Sequence, residues 1–383
     1  MQKVLFNGHD LVLVITIYQS LLFAFFLISF RKGKRHSNYL LAAFLLAHAA
    51  ISLDILIWFG SEFRQYSENY FPNAFFILRT AHWVEAPLLL LYVRSMVYKG
   101  PFFRRRDYLY FVPFALALGD YVINWLMWDN AQKLVYLDNY ALAEEAMSSR
   151  LSYLFREAFR LYFGVLAVIE LLNYQKRLKN EYADIENKDL SWLKLLSIGF
   201  LVLRVNAVFV SLALISLYEY NIPFNTEVIG LSSNYLLLFL MSTLIFFSLN
   251  FPSLFSGIEP SVRQPNDTNA QVIDPEDIER IGRYMEDEKP YLNYLLRLES
   301  LASQLDLAPR QLSQIINRHF KKSFFEFVNT YRIEESKRML DSDKNRDLSI
   351  LDIMSNAGFN SKATFNTLFK KKVGMTPSQY RKM

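Results

Sequence analysis

The chain has 383 residues, of which 52% are hydrophobic, 16% aromatic and 21% charged, whereas an average soluble chain is about 45–50% apolar and about 25% charged. The apolar excess lies in long runs before residue 255 and the charge after it, which excludes a uniform soluble enzyme and a disordered chain. With no cysteine in the chain, a disulfide scaffold, a thiolate zinc site, an iron–sulfur cluster and a cysteine nucleophile are excluded too.

Residues 11–30 contain no charge, and twenty helical residues at ~1.5 Å each cross a ~30 Å hydrocarbon core. A cleavable signal would have a basic front and a small-residue cleavage site. Here Lys3 is the one early positive charge and Arg31, Lys32, Lys34 and Arg35 follow, so the run reads as an anchor. Six more apolar runs follow at 39–59, 73–97, 108–128, 153–174, 190–217 and 228–251. The first, third and fifth loops hold four Lys/Arg each: Arg31, Lys32, Lys34, Arg35; Lys99, Arg104, Arg105, Arg106; Lys176, Arg177, Lys179, Lys188. The N-terminus and the even loops hold only Lys3, Arg64, Lys133 and Arg150. Positive loops stay cytoplasmic. The expectation is therefore a seven-helix transmembrane bundle over residues 1–255, with the N-terminus outside and the C-terminus inside.

In that orientation Asp54, Arg79, His82, Glu85, Asp120, Arg156, Glu157, Arg160 and Arg204 fall in the outer half or near the midplane. Arg94, Glu170 and Lys194 fall in the inner half, close enough to the surface to snorkel. A charge at the bilayer centre costs at least ~2.5–3.5 kcal/mol, so such groups face a bundle interior and find partners. Two readings stand. One is a polar cavity open to the outside, where arginines fork onto a carboxylate or phosphate of a small-molecule ligand. The other is an internal network in which Arg79, Arg156, Arg160 and Arg204 balance Asp54, Glu85, Asp120 and Glu157. No His-Glu-x-x-His is present, and Asp120 lacks the first glycine of a Gly-x-Gly-Asp protease motif, so nothing compels an enzyme and no cofactor is implied. The absence of an internal repeat or of paired broken helices argues against transport. A transporter or receptor with an appended reporter domain remains the alternative.

Residues 256–274 are polar, hold two prolines and show no apolar period, the pattern of a flexible tether. Residues 275–288 form a short acidic amphipathic helix with Ile278, Ile281 and Met285 as its stripe, expected to pack on the domain that follows. Residues 289–383 carry seventeen Lys/Arg against nine Asp/Glu, a balance of +8 where the whole chain carries +5, which leaves the preceding residues at −3. Anionic lipid and nucleic acid are the natural partners of such a segment.

Leu298, Leu301, Ala302 and Leu305 mark one helix face. A break follows, and Pro309 opens a second helix that buries Leu312, Ile315 and Ile316 and turns Arg310, Ser313, Gln314 and Asn317 outward. This is a helix-turn-helix, with Ala308 at a cap position where Ser or Thr would bond the helix N–H groups. A second copy has Ile350, Ile353, Met354 and Ala357 in its first helix, Gly358-Phe359-Asn360-Ser361 in its turn, and Phe365, Leu368 and Phe369 on the buried side of its second. A longer helix over 324–340 joins them, so two recognition helices can meet successive major-groove turns.

The motifs Leu301-Ala302-x-x-Leu305, Leu312-Ser313, Phe324-Phe325-x-Phe327, Tyr331-Arg332-Ile333-Glu334-x-x-Lys337, Ile353-x5-Phe359-x-Ser361, Phe365-x3-Phe369-Lys370-Lys371 and Pro377-x-x-Tyr380-Arg381 make residues 289–383 resemble the AraC/XylS-type DNA-binding domain. The resemblance covers about a quarter of the chain and implies an all-helical, seven-helix unit that binds double-stranded promoter DNA. It places base reading on Arg310, Ser313 and Gln314 and, in the second copy, on Lys362, Ala363, Asn366 and Thr367. Ala363 can offer a thymine only a methyl contact, and Lys321 stands where the family usually has glycine. Lys370, Lys371, Lys372 and Arg381 are placed for phosphate contacts. The expected fold is all-α, a seven-helix transmembrane bundle followed by a cytoplasmic double helix-turn-helix. The expected protein is a one-component sensor in a bacterial inner membrane whose partners are promoter DNA, the lipid bilayer, a small-molecule ligand and a second copy on DNA. Signalling could run through association of two bundles or through cleavage in 256–274.

Overall fold

The computed structural model describes residues 7–29, 35–98, 103–139, 147–185, 191–220, 222, 225–250, 274–342, 345 and 347–382. The tether expected at 256–274, apart from its last residue Asp274, and the loop residues Arg31, Lys32, Lys34, Lys99 and Lys188 lie outside them. Two compact units emerge: Met1–Leu171 with Leu190–Arg263, and Leu172–Asp189 with Gln264–Met383. Among the described residues both are helical, apart from one isolated antiparallel bridge between Tyr182 and Arg297.

The first unit contains α1 (Gly8–Ser29), α2 (Arg35–Phe59), α3 (Ser61–Tyr70), α4 (His82–Val97), α5 (Val112–Tyr121), α6 (Asn130–Asp138), most of α7 (Met147–Glu181), α8 (Ser191–Tyr220) and α9 (Thr226–Asn250). α1 packs on α2 and α9, α2 on α4, and α8 on α9. Gly199 makes room for Leu240 of α9 against α8, since a Cβ there would lie 2.4 Å from a Leu240 methyl.

Among the described residues, five stretches are long and apolar enough to cross a membrane: Gly8–Ser29, Arg35–Phe59, Pro72–Val97, Arg105–Leu126 and Trp192–Tyr220. Seven runs were expected, and the two that fall short do so for different reasons. The run at 153–174 lies in α7, whose 35 residues include Arg150, Arg156, Glu157, Arg160 and Glu170. In α9 the apolar part shortens to Gly230–Phe246.

Two of the five stretches are not single α-helices. The run at 73–97 begins as 3-10 turns, Pro72–Ala74 and Leu78–Ala81, with Phe76 between them in the left-handed region at φ 69°. Trp58 meets Phe75 and Phe76 edge-on, and Trp125 Nε1 donates to the Pro72 carbonyl at 3.0 Å, so aromatic packing holds this irregular backbone. The run at 108–128 is a 3-10 segment (Arg105–Phe111), then α5, then one π-turn (Val122–Leu126).

The second unit contains α10 (Pro275–Asp287), α11 (Leu298–Gln304), α12 (Pro309–Arg318), α13 (Phe324–Asp341), α14 (Ile350–Asn356), α15 (Lys362–Val373) and α16 (Pro377–Tyr380). Its first core joins Leu301, Ala302, Leu312, Ile315 and Ile316 to Phe324, Phe327 and Val328 of α13, and α10 adds Ile281 and Met285. Its second core joins Ile333 of α13 to Met354, Ala357, Phe359, Phe365 and Phe369. One helix thus serves both halves with opposite ends.

The turn between α14 and α15 depends on Gly358, which has φ +87° and sits where a Cβ would meet the Tyr291 carbonyl oxygen at 2.4 Å. Gly358→Ala should lower the urea midpoint of the second unit, with backbone strain alone costing about 1–3 kcal/mol. An unchanged midpoint would show that the turn can shift at no cost.

Candidate nucleic-acid interface

Each helix-turn-helix is built from an apolar stripe inside and polar groups outside. In α12, Leu312, Ile315 and Ile316 are fully buried, Arg310 is exposed, and Ser313 and Gln314 are half-buried on the other side. Ala308 caps α12 without a side-chain bond, and Pro309 follows at the first position. The position is held instead by Gln311, whose amide donates to Asp277 of α10 at 2.6 Å. Asn317 Nδ2 donates to Ser313 Oγ at 3.2 Å, so this serine already accepts one bond within its own helix.

In α15, Phe365 and Phe369 are buried while Lys362, Ala363 and Thr367 are exposed and Asn366 is half-buried. Ser361 caps this helix by accepting from Thr364 N at 3.3 Å. Phosphate candidates divide in two. Lys370 and Lys371 are exposed. Lys372 Nζ is 2.8 Å from Glu334 and holds that carboxyl below the usual carboxylate range. Arg381 donates to the Leu348 carbonyl at 2.7 Å and ties the last turn to the start of α14.

Two further residues organise the interface: Lys321, noted in the sequence at a usual glycine position, and Arg332, whose structural role the sequence did not reveal. Lys321 occupies the left-handed region at φ 53°, which explains the usual glycine there. Arg332 is 1% exposed. Its guanidinium donates to the carbonyls of Tyr291 at 2.7 Å and Asn293 at 2.9 Å, and lies 5.7 Å over the Phe359 ring. Burial lowers its pKa to about 10, so it stays charged at neutral pH. Its place four residues after Val328, on the face that α13 buries, was the available signal.

A family described as "Helix-turn-helix domain" matches residues 301–383. Over 86 residues the chain is 30% identical to the "Probable transcription factor PqrA" of Proteus vulgaris, covering 22% of this chain and 68% of that protein. The chain belongs to the AraC-type helix-turn-helix regulators. It is also 35% identical over 89 residues to the "Melibiose operon regulatory protein" of Escherichia coli K12, covering 23% of this chain and 28% of the relative. With the "Msm operon regulatory protein" of Streptococcus mutans it shares 31% over 87 residues, 23% of this chain and 30% of the relative. The chain therefore spans less than a third of these two regulators. No solved structure matches it significantly.

The charged residues of the first unit form a second candidate site. Glu85 is fully buried; it accepts from Arg160 Nε at 2.7 Å, and His48 Nε2 stands 2.8 Å away without hydrogen-bond alignment. Arg160 NH1 donates to both oxygens of Glu157 at 2.9 Å, Arg156 Nε reaches Glu157 at 3.1 Å, and Arg204 NH1 reaches it at 3.3 Å. Arg79 stands 3.5 Å from Asp54 and lies over Trp58, and His82 is buried. Asp120 stands apart, exposed and bonded to Asn124. Four guanidinium groups therefore face three carboxylates rather than four. His48 was not anticipated, although a lone histidine in the run 39–59 was visible.

The inner-half residues Arg94 and Glu170 do not snorkel. Arg94 is 8% exposed and bonds Glu170 at 3.1 Å and Asp107 at 3.2 Å, while Tyr98 donates to Glu170 at 2.6 Å. Partners within the unit satisfy these charges better than a long reach to a surface would.

Glu85→Ala leaves Arg160 without one of its two acids, and removing one partner of a buried pair costs about 3–5 kcal/mol. The variant should lose most of its folded yield by size-exclusion chromatography in detergent, and Glu85→Gln should lose less. Equal, near-normal yields of both would show that the pair contributes nothing to folding.

Proposed function

We propose that this chain is a membrane-embedded one-component transcriptional regulator. The observation that carries the reading is the conjunction, in one chain, of five helices long and apolar enough to cross a bilayer and an AraC-type double helix-turn-helix. Rows of large exposed apolar side chains support a lipid surround: Leu11, Tyr18, Phe25 and Ile28 on α1; Val202, Val205, Phe209 and Leu212 on α8. So does the burial of Glu85, Glu157, Arg160 and Arg204 inside a unit that exposes these large apolar side chains. In this reading α7 and α9 complete a seven-span bundle in a bacterial inner membrane, with the DNA-binding unit in the cytoplasm.

Arg310 forks onto guanine and Gln314 onto adenine, each worth ~1–3 kcal/mol of discrimination. Ser313, Lys362, Asn366 and Thr367 supply further polar contacts, and Ala363 a methyl contact to thymine. A second copy on adjacent half-sites raises effective concentration, which gives the bundle a way to act on DNA binding. Its signal is a small molecule whose carboxylate or phosphate the arginines of this cluster would fork onto.

Genome-wide crosslinking of the full-length protein to DNA tests the reading, with Arg310→Ala/Gln314→Ala as control. Discrete promoter peaks that vanish in the control are expected. Their absence, with intact protein in the membrane fraction, would sink it. On the promoter so found, Lys370→Ala and Lys371→Ala should each reduce the slope of log affinity against log salt by about 0.9. Lys372→Ala should reduce it less, because its ammonium is already paired; an equal reduction would place Lys372 on phosphate.

A further inference from the structure

The DNA-binding unit is completed by residues far from it in sequence. Leu172–Asp189 belongs to the same compact unit as Gln264–Met383, so one unbroken helix, α7, contributes to both units. The helix ends at Glu181. Tyr182 pairs with Arg297 in the antiparallel bridge, the Arg297 guanidinium lies 5.5 Å over the Tyr182 ring, and Ala183 N donates to the Leu296 carbonyl at 3.4 Å.

Ala183 is 1% exposed and sits in the core cluster that contains Met285, Leu301 and Phe324. Its carbonyl accepts from Asn329 Nδ2 at 3.0 Å and from Arg332 NH1 at 3.4 Å. Both donors are themselves buried, at 3% and 1% exposure. Both stand on α13, the helix shared by the two helix-turn-helices. The slot has one feature of strand-addition recognition, main-chain bonds for affinity, and it buries the Ala183 side chain in the core.

We propose that the DNA-binding unit carries a docking slot whose occupant is the 182–184 segment of this chain, and that this contact stays closed on DNA. The unit is then attached twice, covalently through 251–273 and by docking at the end of α7. The docked attachment carries a displacement of α7 directly to α13. This rests on the regulator reading, and it makes cleavage of the tether insufficient for release.

The absence of native cysteine makes the test clean. Paired residues across an antiparallel bridge have Cα atoms about 4.5–5.5 Å apart, within the span of a disulfide. Tyr182→Cys/Arg297→Cys is made in the full-length chain with a protease site in 256–270, and inverted membrane vesicles are oxidised mildly, then cleaved. The two fragments should remain joined in more than half the molecules until reductant is added, with no joining in either single variant. Oxidised vesicles should bind the crosslinking-derived promoter fragment within twofold of reduced ones. Fragments that separate without reductant overturn the docking. A joined protein whose promoter binding falls by more than twofold overturns closure on DNA.

Ala183→Glu gives a second reading. After cleavage of the tether and a high-salt wash, the DNA-binding fragment should sediment with the membranes in the parent and appear in the supernatant in the variant. Sedimentation of both would overturn the slot. If no promoter is found for the parent chain, the regulator reading fails while the gel still decides the docking.

Discussion

The second unit depends on a single buried cation. Arg332 takes a guanidinium out of water and compensates with main-chain carbonyls on the 290–293 turn and on the 183 segment, beside the charge of Asp184. Carbonyl oxygens are fixed by the backbone, so a planar donor fork that satisfies several at once also fixes where those backbones lie. Phe359 over the guanidinium brings the second helix-turn-helix into the same arrangement. The spacing of the two recognition helices is thus set by one side chain on the helix between them, and a lysine, with one point charge, could not reproduce it.

The first unit uses charge in the same way, with carboxylates as partners. Glu85 and Glu157 collect guanidinium groups from α7 and α8, and the second group, Arg94 with Glu170 and Asp107, ties α4 to α7 and to the 3-10 segment before α5. In the lipid surround proposed for this unit, apolar contacts between helices would gain little, because the surroundings are as apolar as the side chains. Buried ionic groups are then the directional contacts that distinguish one helix arrangement from another.

Much of this was legible in the residues. The two apolar stripes of 298–316 and 350–369, Pro309 at the first position of α12 and Gly358 in the second turn follow from helical periodicity and backbone permissiveness, both local properties. The apolar runs were equally visible, but not the irregular backbone at 72–81, because Phe76 adopts a left-handed conformation to pack against Trp58 and Trp125, a long-range demand. Charge balance within the cluster was misjudged at Asp120 for a related reason: about half a turn of helix rotation separates an interior carboxylate from an exposed one. Arg332 lay in plain view within a quoted motif. Its role was hidden because main-chain acceptors leave no signature in sequence.

The discontinuity of the second unit bears on the order in which the chain is made. Residues 182–184 leave the ribosome before α8 and α9, and α13 follows only after both. The domain that reads as an autonomous C-terminal module therefore reaches its final core by returning to a short segment synthesised more than a hundred residues earlier, with α8 and α9 lying between the two parts of the unit in sequence. A ribosome that stalls in the tether leaves the Ala183 carbonyl exposed and the bundle otherwise whole. Assembly of the regulator is in this sense vectorial, and its last step closes a loop rather than adding a bead.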